Sequence, residues 1–393
     1  MEAYKSLVSG VLRDGRVKGN VRTGTTTRSI MSCVFKHDMA EGFPLLTTKK
    51  MKFSNIVAEW LWITNGHTNV DFLHALDCHI WDMWALKEDH YGEVPMTTLE
   101  RIQHYLNKHN HVDFQDHLHM YSEEELVAKL DALNVPKTKT ALIAKKGETN
   151  APYGRAMRKR NAKGETPMEY IDNLIANSQD SRRIMSCYWD HADLPDESLS
   201  VQDNIKAGRP CLTPCHFGHQ VYIDDMTLQE RWSWMLENYV GTNSHRMKEY
   251  RGEFTDIDNQ KFYDGDIEAL TKAKMDSLDK YNIPRRRLNL KWGQRSIDTG
   301  IGLGYNIAYY ALTLAVYAHR HGLATGFLEG DLTNVHIYES HVSGLMQQYS
   351  RSCYKLPRLN IKRRPDSIHD YTADDFELVG YEHHPFIKFE LYE

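Results

Sequence analysis

Residues 211–223 read CLTPCHFGHQVYI, a Thr-Pro turn followed by a run that carries β-branched and aromatic side chains. The run predicts a strand with Cys215 and His216 at its mouth. A thiol is a useful nucleophile only as thiolate, so a catalytic Cys215 needs nearby cations or hydrogen-bond donors. Arg295 and the Arg182-Arg183 pair are the candidates, and without them Cys215 is an ordinary small buried residue.

Outward from this stretch lie three Arg-centred elements: RTG at Arg22, SRR at Ser181 to Arg183, and QRS at Gln294 to Ser296. Each joins a guanidinium to a hydroxyl or turn amides, and several such forks converging would define a phosphate monoester site. Each alone fits a surface salt bridge. TGIGLGYN (Thr299 to Asn306) is not GxGxxG and lacks the strand-loop-helix unit with a following acid, so a dinucleotide site is excluded. In NVHIYESH, His336 and Tyr338 alternate and face one side of a strand, where they could meet a sugar hydroxyl. SNIVAEWLWITNG predicts a helix stopped by Asn65-Gly66, with Glu59 a lone acid among apolar neighbours.

The 393 residues exceed one ordinary domain and allow either two domains or one large domain with insertions. Apolar residues make up 41% and the net charge is -5, which gives a globular core and no overall drive towards nucleic acid or acidic membranes. Six scattered cysteines and a start without an apolar signal run predict reduced thiols and a cytoplasmic protein. Apolar stretches such as 306–317 are too short to span a bilayer. Despite 21 His there is no HExxH or Cys/His ligand spacing, and no metal is expected. Residues 86–150 and 231–288 change character to polar, charged sequence and read as surface insertions in a single catalytic domain spanning 1–393. In the first, Ser122 is placed to cap a helix with Glu125. No internal repeat is visible.

Together RTGT, GFPLLTTKK, the Glu59 helix, IWDMWA (Ile80 to Ala85), APYGR (Ala151 to Arg155), SRRI, PCH, QRSxD, GxNIAxYA and HIY stand in the order of the thymidylate synthase family, which the chain resembles outside the two insertions. The resemblance implies an α/β (α+β) fold, a large mixed sheet covered by helices and packed back to back in a homodimer. It implies 5,10-methylenetetrahydrofolate as co-substrate and dUMP as substrate. Cys215 resembles the nucleophile that adds to pyrimidine C6, while Glu59 and Tyr153 resemble the proton-transfer groups. Arg22, Gln294, Arg295 and Ser296 look like nucleotide ligands, with Arg182 and Arg183 supplied from the other subunit. Asn306 matches the reader of the uracil edge, where cytosine-specific relatives tend to carry Asp. His336 and Tyr338 resemble ligands of the 3'-hydroxyl. Asp298 resembles the pterin-binding acid, and by the same resemblance Lys49, Ile80, Trp81, Gly302 and Tyr305 would line the folate side.

The chain departs from the synthase pattern in three places. IKFELYE carries Glu390, Tyr392 and Glu393 where synthases have a short apolar tail. Gly218 and His219 replace bulkier apolar or aromatic residues, and LTN stands ahead of HIY. A polar tail and a smaller cavity wall predict admission of water, hence a virus-encoded dUMP hydroxymethylase, with dTMP synthesis as the alternative. A binding regulator using Arg285 to Arg287 is the competing class, and nucleic acid is not expected as a partner.

Overall fold

The computed structural model describes residues 1–20, 24–109, 120–239, 251–258 and 267–392. Its strands are β1 (Arg16–Asn20), β2 (Thr25–Asp38), β3 (His90–Pro95), β4 (Thr138–Ala144), β5 (Met185–Cys187), β6 (His216–Asp225), β7 (Arg286–Gln294), β8 (Ile297–Asp298), β9 (Ala324–Tyr338), β10 (Arg358–Ile361) and β11 (Phe376–Val379). The helices used below are α1 (Glu2–Asp14), α2 (Phe53–Thr64), α3 (Asp71–His74), α4 (Thr98–His109), α5 (Glu123–Ala132), α6 (Pro152–Arg158), α7 (Pro167–Asn177), α8 (Val201–Lys206), α9 (Leu228–Tyr239), α10 (Ile267–Lys280), α11 (Gly302–His321) and α12 (Val342–Ser350).

The main sheet runs β1-β2-β9-β7-β6-β5, with β8 beside β9. It is mixed: β9 lies parallel to β7 and β8, and the other neighbours are antiparallel. One face is covered by α11, which is buried along nearly its whole length because its apolar residues run round the cylinder. Trp292 of β7 stacks flat on Tyr310 of α11 at 5.1 Å, and α2 leans on the same helix through a Trp60 Nε1 to Thr313 Oγ1 bond of 3.1 Å. The predicted Glu59 helix is α2, ended by Asn65 and a left-handed Gly66. The opposite face of the sheet leaves large apolar side chains in solvent, with Met31 83% and Tyr222 68% exposed beside Val34, Met185 and Phe217. Among the described residues no helix is long and apolar enough to cross a membrane.

Two excursions leave this body, and they share one architecture, which corrects the expectation that the chain lacks a repeat. After β3 the chain reads Met-Thr-x-x-Glu-Arg into α4, and after β6 it reads Met-Thr-x-x-Glu-Arg into α9. Thr97 and Thr227 donate from their backbone N–H to Glu100 and Glu230 at 2.9 and 2.8 Å, and the return bonds are 3.3 and 3.2 Å. Arg101 and Arg231 are 5% and 2% exposed. Their guanidiniums hold Asp131 and Asp279 at 2.6 and 2.7 Å, and the carbonyls of Val135 and Ile283 at 3.0 and 2.8 Å. Left-handed Asn134 and Asn282 follow the second helix of each, α5 and α10. Met96 and Met226 donate to Lys137 and Arg285 to close each neck at 2.8 and 2.9 Å. Each unit has its own small core: Ile102, Leu130 and Val135 in one, Met235, Leu278 and Ile283 in the other. The repeat is hidden in the sequence because the Arg-to-Asp spacing is 30 residues in one and 48 in the other. Ser122 and Glu125 form the expected capping box on α5.

The buried Arg is the keystone of each unit, since removing it leaves buried carbonyls without their donor and each carboxylate with only its exposed partner, Lys137 on Asp131 or Arg285 on Asp279. Arg231→Ala should cost about 3 kcal/mol locally. Hydrogen exchange should then speed up for α10 amides while β7 and β9 amides keep their protection; unchanged α10 exchange would remove Arg231 from that role. The Arg285 to Arg287 run is occupied by this packing, with Arg285 on Asp279, Arg286 on Asp180 and Asp225, and Arg287 on Asp224 and Glu230.

Candidate active site

Cys215 sits at the mouth of β6, half-buried, on a loop held from two sides. From β7, Arg295 N–H donates to the Cys215 carbonyl at 2.8 Å, and its guanidinium donates to the carbonyls of Pro214 at 2.8 Å and Thr213 at 3.1 Å. From α6, Tyr153 accepts the Cys215 N–H at 2.9 Å through its phenol oxygen. Both residues are expected in the site, and the fold brings them to Cys215 as supports of its backbone. His216 stacks on Tyr153 at 4.2 Å, and its Nδ1 lies 2.7 Å from Tyr310 Oη. Burial pushes His216 down to about 3, so its imidazole is neutral and supplies no cation to the thiol. Among the described residues, Arg295 is the cation that bonds this loop.

Glu59 on α2 accepts a 2.8 Å bond from Trp81 Nε1. Trp81 packs between Trp62 and Trp84 and meets the edge of Tyr153 at 6.1 Å, so one indole ties the acid to the phenol. Burial raises Glu59 to about 7, against the Trp81 bond, which favours the anion. Because the folded value lies above the unfolded one, burial of Glu59 is free of charge cost below about pH 4.5, and that advantage is lost as pH rises through about 7. Glu59→Gln should slow turnover by about 10²–10⁴-fold and erase the rise in rate through pH 7. The same variant should melt higher than the parent at pH 8 but not at pH 5. Unchanged turnover would take Glu59 out of the chemistry.

Asn306 lies in the first turns of α11, and Gln294 Nε2 donates to its Oδ1 at 3.2 Å. Gln294 also donates to the Ser296 carbonyl at 3.1 Å and accepts from Trp292 Nε1 at 3.2 Å. Gln294 is therefore buried behind Asn306 and fixes its amide, with Ser296 half-buried and Arg295 exposed at the mouth. An amide held by its oxygen in this way presents its N–H₂ outward as a donor and keeps a second lone pair as acceptor.

Asp298 accepts backbone N–H bonds from Gly300 at 2.9 Å and Ile301 at 3.1 Å, shaping the turn that enters α11 at Gly302. Lys49 lies buried beneath this turn, bonded to the Gly300 carbonyl and 4.6 Å from the Phe389 ring centre. Burial lowers Lys49 to about 8. Ile80 and Tyr305 are half-buried beside Trp81 and α2. His336 and Tyr338 share a side of β9 as expected, with ring centres 5.3 Å apart. Sequence reasoning missed the cover over them: Tyr392 stacks on Tyr338 at 4.5 Å and bonds Ser340 at 2.8 Å and Glu390 at 2.7 Å. His341, also missed, bridges Asp298 (3.4 Å) and the Glu390 carbonyl (2.8 Å).

Arg182 and Arg183 flank β5 in solvent, and among the described residues neither guanidinium has an ion-pair partner. Arg22 lies outside the described residues. The smaller cavity wall expected at Gly218 is not there: a Cβ on this residue would stand 2.3 Å from the Ser186 carbonyl oxygen, so neighbouring β5 backbone fills the space. His219 and Ser186 are cross-strand partners, both buried, and among the described residues neither ring nitrogen nor the Ser186 hydroxyl has a partner. Burial holds His219 neutral, down to about 4.

A family model described as thymidylate synthase matches residues 2–236 and 269–392. The thymidylate synthase of Pseudomonas fluorescens (strain SBW25) is 27% identical over 391 residues, covering 100% of this chain and 99% of that protein. Thymidylate synthases of Francisella philomiragia and Francisella tularensis subsp. holarctica are 26% and 25% identical with the same coverage.

Proposed function

The chain belongs to the thymidylate synthase family of folate-dependent one-carbon transferases, and from that premise we propose that it is a dUMP 5-hydroxymethylase. It converts dUMP, 5,10-methylenetetrahydrofolate and water into 5-hydroxymethyl-dUMP and tetrahydrofolate. The observation that supports the choice of water is a buried polar pair near Cys215: His219, on the strand β6 that Cys215 leads into, and its cross-strand partner Ser186 on β5 have no hydrogen-bond partner among the described residues, and a water could satisfy them.

In this reading Arg295 and Ser296, with Arg22, bind the phosphate, and His336 and Tyr338 bind the sugar. Asn306, held by Gln294, donates to uracil O4 and accepts from N3–H. The Cys215 thiolate adds to C6, which makes C5 a carbon nucleophile. Trp81, Ile80, Tyr305 and the turn at Asp298 and Gly302 form an aromatic and peptide-lined wall that fits a flat pterin, with Lys49 bracing the turn from below. The folate supplies a one-carbon unit at the oxidation level of formaldehyde. Once that carbon is bonded to C5, Tyr153 assists removal of the C5 proton, with Glu59 ordering water near O4. Loss of that proton breaks the bond between the one-carbon unit and the folate nitrogen, so that tetrahydrofolate leaves and the C6-bound base carries an exocyclic methylene at C5. Water adds to that methylene, and Cys215 is expelled as C5=C6 re-forms.

Arg182 and Arg183 reach the phosphate of a second subunit in this reading, across a homodimer packed through the exposed apolar face of the sheet. A second reading, hydride transfer to give dTMP and dihydrofolate, is favoured by the filled space at Gly218 and by the names of the relatives. The deciding measurement is the mass of the nucleotide formed from dUMP and methylenetetrahydrofolate, with dihydrofolate followed by absorbance. A product one oxygen heavier than dTMP without dihydrofolate supports the hydroxymethylase; dTMP with stoichiometric dihydrofolate overturns it.

A further inference from the structure

We infer that His74, His79 and Asp82 form a binding site for a divalent transition-metal ion on the turn that carries Trp81. His74 closes the short helix α3, the chain turns back through Asp77 in a left-handed conformation, and His79 and Asp82 return beside His74. His74 Nε2 lies 2.6 Å from one carboxylate oxygen of Asp82, and His79 Nδ1 lies 2.9 Å from the other. The two imidazole rings are 4.7 Å apart, and one ligand-capable atom from each residue falls within a 4.8 Å cluster.

Two imidazoles aimed at one carboxylate is the arrangement in which a metal ion can replace the protons that the imidazoles donate. Tetrahedral zinc with bonds of about 2.0–2.2 Å places its ligands roughly 3.3–3.5 Å apart. The two imidazole–carboxylate separations are shorter than that, at 2.6 and 2.9 Å, and all the ligand atoms lie within 4.8 Å; the three side chains are exposed, so a small opening of the cluster would admit the ion. Two nitrogens and one oxygen select zinc, cobalt or nickel over magnesium or calcium. Three protein ligands leave a position open to water. The nearby lysines do not oppose a cation here, since Lys52 is paired with Asp77 and Lys145 with Asp71. The spacing His74-x4-His79-x2-Asp82 matches no ligand motif, so the site becomes visible only when the turn folds back.

The site is one residue from Trp81, the donor to Glu59. Occupancy would therefore fix the turn that sets the Trp81 side chain against the acid.

The test is cobalt titration of the chelator-dialysed full chain, read by visible absorption and by competition with a chromophoric chelator, then displacement by zinc. The expected result is one equivalent of Co²⁺ with a d–d spectrum, displaced by Zn²⁺ and not by Mg²⁺. His79→Ala should weaken binding at least about tenfold, and His79→Gln, which can keep a hydrogen bond to Asp82, should weaken it equally. Absence of a cobalt spectrum, or the same affinity in both variants as in the parent, would mean that the two histidines serve only to brace the turn.

Discussion

Cys215→Ala is expected to abolish turnover, by at least about 10⁴-fold, while dUMP still binds. The loss should be chemical and not structural, because the contacts that fix this loop are made by backbone atoms. Tyr153 accepts the residue-215 N–H, and Arg295 donates to its carbonyl; both survive the substitution. Denaturing mass spectrometry after mixing with dUMP and methylenetetrahydrofolate should detect a nucleotide adduct on the parent and none on the variant. A variant that keeps measurable turnover would end the covalent mechanism and revive a binding role for the chain.

Asn306→Asp should lower kcat/KM for dUMP by about 10³–10⁴-fold and raise activity on dCMP. Sites that hydrogen-bond a polar edge discriminate by about 10⁴–10⁵ when the complement is lost. Gln294 Nε2 can still donate to one oxygen of the new carboxylate, so the side chain keeps its place. Its second oxygen, however, replaces an N–H₂ donor by an acceptor, which repels uracil O4 and suits the exocyclic amine of cytosine. Kinetics with both nucleotides decide the matter. A parallel loss on both would show that Asn306 holds the architecture and does not read the base.

Much of the local structure could be read directly. The stop of α2 at Asn65-Gly66, the Ser122 cap and the position of Cys215 ahead of a strand depend on neighbours within a few residues. The family resemblance carried by the Arg, Cys and Asn motifs implies that Tyr153 and Arg295 belong with Cys215, and both bond to its loop. What escaped depends on partners far along the chain. The bonds that join Gln294 to Asn306, Ser296 and Trp292 carry no mark in the sequence, and Tyr310, which meets His216, is 94 residues away from it. A glycine in a strand signals either free space or close approach of another backbone, and only the position of Ser186 decides which holds at Gly218. The duplicated units were hidden for a related reason, since their shared bonds join residues across loops of unequal length.

The pairing of β2 with β9 has a consequence for how the chain is made. Register runs from Thr27 opposite Tyr338 to Asp38 opposite Phe327, so the middle of the sheet joins segments about 300 residues apart. During synthesis β2 emerges before its partner and waits while the roughly 300 residues between them leave the ribosome. Meanwhile the β6–β7 hairpin can form, but the parallel edge that β7 offers to β9 stays open. Such non-local closure is slow and leaves unpaired edges exposed to other nascent chains. Yield from recombinant expression should therefore improve at lower temperature or with added chaperone capacity, and a chain stalled before Ala324 should accumulate as aggregate and not as a smaller folded core.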